Sequence, residues 1–71
     1  MNKIEALVII HRLCDAYGAT LDFRRADYPV QIYMPYAGAQ TNEVVRCFAE
    51  ELTAFTGIVA DVQGQTLTFM I

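Results

Sequence analysis

Serine and tryptophan are both absent from this chain of 71 residues, and histidine occurs once, as His11. Without serine there can be no serine hydrolase, and a cysteine nucleophile would have only His11 as its base. Cys14 lies three residues from His11, but on the helix pattern described below its side chain turns inward, where a free thiol packs as a small inert hydrophobe. A zinc site usually needs at least three protein ligands. His11 and Asp15, four residues apart, are therefore expected to be a solvated helix pair and not a metal or acid–base centre. Glu50, Glu51 and Asp61 do not form a glycosidase-like carboxylate set, because neighbouring positions on a helix point in different directions. The glycines mark the ends of elements, and none belongs to a phosphate-binding loop of the required spacing. No catalytic residue, cofactor or metal is expected.

Positive charge is equally scarce. Lys3, Arg12, Arg24, Arg25 and Arg46 are the only basic residues, the net charge is −3, and the isoelectric point is near 4.7. Nucleic acid and anionic membranes are bound through Lys and Arg that neutralise phosphates, so neither is expected as a ligand. The apolar run from Ile4 to Ile10 is short, contains Glu5 and leads into His11 and Arg12, so it reads as neither a signal peptide nor a membrane span. Cys14 and Cys47 are the only cysteines. They lie far apart with no CxxC spacing, which points to reduced thiols and a cytoplasmic setting.

What is abundant is apolar surface, at 55% of residues. A domain this small buries only roughly 60% of the surface its unfolded chain exposes. Some apolar side chains should therefore meet a partner. The apolar positions also repeat. Ala6, Leu7, Ile10, Cys14 and Tyr17 fall on Val44, Val45, Phe48, Leu52 and Phe55 when the sequence is shifted by 38 positions, and both sets follow one helix face.

The spacing predicts a first helix from Lys3 to Tyr17, stopped by Gly18. Leu21 and Phe23, then Val30, Ile32 and Met34, alternate with polar residues as half-buried strands do, with a loop from Arg25 to Pro29 between them. Pro35 to Gly38 breaks the pattern. Thr41 or Asn42 then caps a second helix that runs to Thr56 and stops at Gly57, with Glu43 in its first turn. Ile58 to Val62 and Thr66 to Ile71 form a last hairpin that turns near Gln63 and Gly64.

The expected fold is α+β: a single domain over residues 1–71, built from two αββ units of about 1–36 and 39–71. In this αββαββ order, both helices cover one face of a four-stranded antiparallel sheet. The inward set should be Leu21, Phe23, Val30, Ile32, Met34, Ile58, Ala60, Val62, Leu67, Phe69 and Ile71. The second and fourth strands, the most apolar, should be central, giving the order 1-2-4-3.

Two surfaces have no obvious structural reason. Beyond its core stripe the first helix carries Ile4 and Val8 bordered by His11 and Asp15, an apolar contact with a polar rim. The sheet face away from the helices carries Tyr33 and Met70, with Tyr28 and Tyr36 flanking the hairpin beside Arg24 and Arg25, residue types favoured at interface hot spots. An RNA-binding sheet would be basic around its aromatics, whereas this one has two aspartates. These features suggest a non-enzymatic protein-interaction module that binds a larger protein assembly, with a homodimer through the first helix as a further expectation. Small acidic domains of this kind suit inhibitors or adaptors, including those carried by phages or other mobile elements. The rival from another class is a small enzyme or ligand carrier using His11, Asp15 and Cys14.

Overall fold

The computed structural model describes residues 2–23 and 29–71. The expected sites Arg24, Arg25 and Tyr28, and most of the first hairpin loop, lie outside the described residues. The elements run α1 (Lys3–Tyr17), β1 (Thr20–Asp22), β2 (Val30–Tyr33), a short 3-10 turn (Gly38–Gln40), α2 (Thr41–Thr56), β3 (Asp61–Gln63) and β4 (Thr66–Phe69). Among the described residues, two helices and a four-stranded antiparallel sheet make a mixed α+β fold, with strand order β1-β2-β4-β3.

Local chemistry sets the helix ends. The Asn2 side chain accepts from the Glu5 backbone N–H at 2.8 Å, and its amide donates to the Glu5 carboxylate at 3.4 Å. Asn2 thus caps the start of α1 through its side-chain oxygen, and its amide adds a side-chain contact with the first-turn carboxylate. Gly18 and Gly57 close the two helices at φ 68° and 75°, left-handed values that cost a side-chain-bearing residue energy. The start of α2 departs from expectation, because Thr41 does not cap it. The Thr41 hydroxyl instead donates to the Gly38 carbonyl at 2.8 Å and accepts from the Ala37 N–H at 3.0 Å, tying down the 3-10 turn that leads into the helix.

Ile10 on α1, Val45, Phe48 and Leu52 on α2, and Val30, Ile32 and Leu67 on the central strands are fully buried and belong to one cluster. Strand register explains its shape. Leu21, Ile32, Leu67 and Val62 form one row across the sheet, and Val30 faces Phe69 in the next. Burial is complete on β2 and β4 and falls away at the edges, where Leu21 is half-buried and Val62 is 44% exposed. Val62 and Phe23 were both expected in the core. Phe23 is exposed because β1 stops at Asp22, and Val62 because it sits on an edge strand.

The strands are also shorter than their apolar alternation suggests. Pairing starts only at Asp61 in β3 and stops at Phe69 in β4, so Ile58, Ala60 and Ile71 pack against the core from outside the sheet. Phe55, expected on the buried stripe of α2, is 57% exposed. Sixteen helical residues extend about 24 Å, whereas strands of three or four residues span only about 10 to 14 Å. The last turn of α2 therefore overhangs the sheet.

Tyr17 joins the helices. Its ring meets Phe48 edge-on, with centroids 5.2 Å apart, and its hydroxyl donates to Glu51 Oε2 at 2.7 Å.

Candidate functional site

Positions 4, 8, 11 and 15 share one stripe of a helix, and α1 turns its other side inward through Ala6, Ile10, Leu13 and Cys14. Ile4, Val8, His11 and Asp15 are therefore presented together and all are exposed, Ile4 at 74% and Val8 at 45%. Two branched apolar side chains stand one turn apart, followed by an imidazole and a carboxylate one and two turns further on. Such a face can bury apolar surface against a partner and orient it through hydrogen bonds at the rim.

The residues expected on the sheet do not gather. Tyr33 lies in a row with Thr20, Thr66 and Gln63 on the face away from the core, and its hydroxyl donates to Gln31 Oε1 at 2.6 Å. Met70 follows Phe69, which pairs with Val30 at the other end of β2. There Met70 lines a small cleft of about 160 Å³ with Asn2, Lys3, Ala6, Thr56, Ile58 and Ile71. Tyr36 lies in the segment before the 3-10 turn, apart from Tyr33 and Met70, and is 79% exposed. The rest of the outer sheet face is a row of Asp22, Gln31, Thr68 and Asp61, a composition suited to water.

His11, Asp15 and Cys14 do not form a reactive group either. Cys14 is buried, and burial, with a smaller effect from the Asp15 charge, pushes its thiol up to about 11. That suppresses the thiolate a nucleophile would need. His11 and Asp15 lie on the solvent side of the same helix. Among the described residues no group of three or more His, Cys, Asp or Glu could hold a metal ion, and no described helix is long and apolar enough to cross a membrane.

A larger feature was not anticipated from the sequence. An open, mainly apolar cleft of about 700 Å³ runs between the outer flank of α2 and the β3 edge. Asn42, Arg46, Ala49 and Thr53 line it from the helix, and Val59, Ala60 and Val62 from the strand side. The end of α2 fixes the strand-side wall. Thr53 Oγ1 donates to the Ile58 carbonyl at 2.7 Å, Thr56 Oγ1 donates to the Leu52 carbonyl at 2.6 Å, and the Ile58 N–H donates to Thr56 Oγ1 at 3.1 Å. The cleft is concave because Ala49, Thr53, Ala54 and Ala60 are small. Small residues at positions 49, 53 and 54 of a helix otherwise rich in long side chains were the available signal, but by composition they resemble an idle surface.

The chain matches no family model, no curated protein and no solved structure.

Proposed function

We propose that this chain is a non-enzymatic protein-binding module of the inhibitor or adaptor kind, acting in the cytoplasm, and that it presents the outer face of α1 to a larger protein. The observation that carries this reading is the exposure of Ile4 and Val8 on adjacent turns of a helix whose core contacts are already supplied by its opposite side. Fully burying an exposed branched apolar side chain contributes about 1.5 to 3 kcal/mol, of which Ile4 at 74% exposure can add most and Val8 at 45% about half, an anchor for an interface. His11 and Asp15 supply the polar rim. The two free cysteines accord with a reducing compartment. The acidic balance favours a basic protein surface over a phosphate backbone.

The test is capture with three baits of equal helicity: wild type, Val8→Glu and Tyr36→Ala. Recovery of one stoichiometric protein by the wild type and Tyr36→Ala baits, and its loss with Val8→Glu, supports the reading. Equal recovery with all three removes α1 as the binding face. Turnover of a small substrate that disappears in His11→Ala would move the protein to the enzyme class.

A further inference from the structure

The β3 edge faces outward from the sheet, and the turn that closes its hairpin fixes which backbone groups it offers. Gln63 pairs with Thr66 across a two-residue loop, with Gly64 at φ 59° and Gln65 without a positive φ, the pattern of a type II′ turn. A pair closing so short a loop exchanges both backbone hydrogen bonds, and such pairs alternate along an antiparallel ladder with non-bonded ones. Val62, opposite Leu67, is therefore a non-bonded position toward β4. Its N–H and C=O point to the open edge, where no described strand lies.

We propose that a second copy of this chain pairs there, β3 against β3 about a two-fold axis through Val62, so that the two sheets join into one. Self-complementarity favours a second copy over a foreign strand. With the axis at Val62, the two Val62 residues exchange both backbone bonds, and Asp61 stands across from Gln63 of the second copy, a carboxylate facing an amide. A one-residue shift to an axis between 61 and 62 or between 62 and 63 would turn the strand faces against each other. Edge strands are commonly guarded by short length, charge, lysine, proline or a bulge; Asp61–Gln63 contains neither lysine nor proline, and the guards it does carry are its three-residue length and the Asp61 charge. The adjoining cleft is lined by Arg46 and Glu50, one charge of each sign, so that two copies of α2 running antiparallel across the axis offer each cation an anion. Val59 and Val62, both exposed at the cleft, would be covered. The inference is independent of the α1 reading, since α1's outer face is not used.

Sedimentation equilibrium of the wild type over a wide concentration range should give a dimer mass at the upper end. Val62→Lys should raise the dissociation constant at least about tenfold with the far-ultraviolet spectrum unchanged, while Val8→Glu leaves it as it was. A cross-link supplies the second readout. Bonded antiparallel pairs hold their Cα atoms about 5.5 Å apart, within the span of a disulfide at about 4.4 to 6.8 Å. In a Cys47→Ala background, Val62→Cys should oxidise to a covalent dimer, and Thr20→Cys on the opposite edge strand should not. Wild-type monomers at every concentration overturn the proposal. So does a dimer that Val8→Glu dissociates and Val62→Lys does not, or one that cross-links equally through either edge.

Discussion

The two helices carry different side chains on flanks that share a sequence register, and the flanks take opposite shapes. Ile4, Val8, His11 and Asp15 on α1 lie 38 positions before Asn42, Arg46, Ala49 and Thr53 on α2. On α1 the flank is built of large apolar and charged side chains and stands out as a ridge. On α2 the corresponding positions are all small or polar, and they line the wall of a cleft. The helices are also rolled differently about their axes. α1 buries Leu13, with Ile9 half-buried beside it, whereas the equivalent Glu51 and Cys47 on α2 are exposed; α2 buries Val45, whose counterpart Leu7 is only half-buried. The shared apolar period thus turns Ile10 and Phe48, and Cys14 and Leu52, inward on both helices, while the residues beside them set how each helix is rolled. Residue size on the flank decides whether the remaining surface projects or recedes.

The sharpest way to break this parallel is at its pivot, where Ile10 and Phe48 are 38 positions apart and both fully buried. Phe48→Ala should cost about 3 to 5 kcal/mol and Ile10→Ala about 2 to 5, against a total of about 4 to 11 kcal/mol for a domain of this length. Urea unfolding should show Phe48→Ala losing a large share of the wild-type stability, with the midpoint lowered accordingly. A loss below about 1 kcal/mol would mean that the aromatic ring is not the centre of the core.

Positions 13 and 51 separate the helices next. They share a register, yet Leu13 is buried and Glu51 reaches across to Tyr17. Leu13→Ala should cost about 2 to 4 kcal/mol, whereas Glu51→Ala should cost about 1 kcal/mol by removing one hydrogen bond. Equal costs from the same urea transitions would show that the two helices meet the core in the same orientation after all.

Much of the fold was legible because burial on a helix or a central strand leaves a periodic trace. The boundaries of α1, the end of α2 at Thr56 and the strand order followed from that trace and from Gly18 and Gly57. Edges leave a weaker one. Val62 and Phe23 fit the alternation of inward residues but lie where the sheet runs out of cover, and Phe55 fits the α2 stripe but lies beyond the sheet. The cleft was not legible because it is made by the absence of side chains at Ala49, Thr53 and Ala60, which carry no chemistry to search for. The α1 stripe was visible as an apolar excess over what the equivalent turns of α2 carry.

The bond between the helices can be examined by raising the pH. Burial holds the Cys14 thiol near 11, and the hydrogen bond to Glu51, followed by desolvation and the carboxylate charge, pushes the Tyr17 phenol up to about 12. Both groups keep their protons more tightly folded than unfolded, where the ordinary values are 9.0 and 10.0. Above those values the unfolded chain binds fewer protons than the native one, so stability falls as pH rises. The contribution is complete below about pH 9 and is lost between there and pH 12. Tyr17→Phe should lower stability at neutral pH by about 1 kcal/mol and should flatten the alkaline loss above pH 10. An unchanged alkaline slope in that variant would assign the loss to Cys14 alone.

The smallest effect on stability is expected on the ridge itself, and its smallness is what distinguishes a contact surface from core. Val8 is 45% exposed and Ile4 more so, and surface substitutions that disturb no buried group usually change stability by less than about 0.5 kcal/mol. Val8→Glu also places a carboxylate three residues from Glu5 and four from Arg12, a repulsion and an attraction of about 0.2 to 0.5 kcal/mol each that largely offset. The urea midpoint of Val8→Glu should therefore stay close to that of the wild type even where partner capture fails. A drop of 2 kcal/mol or more, in the range of buried-residue losses, would show that Val8 is held by the fold, and α1 would then have no spare apolar face to offer.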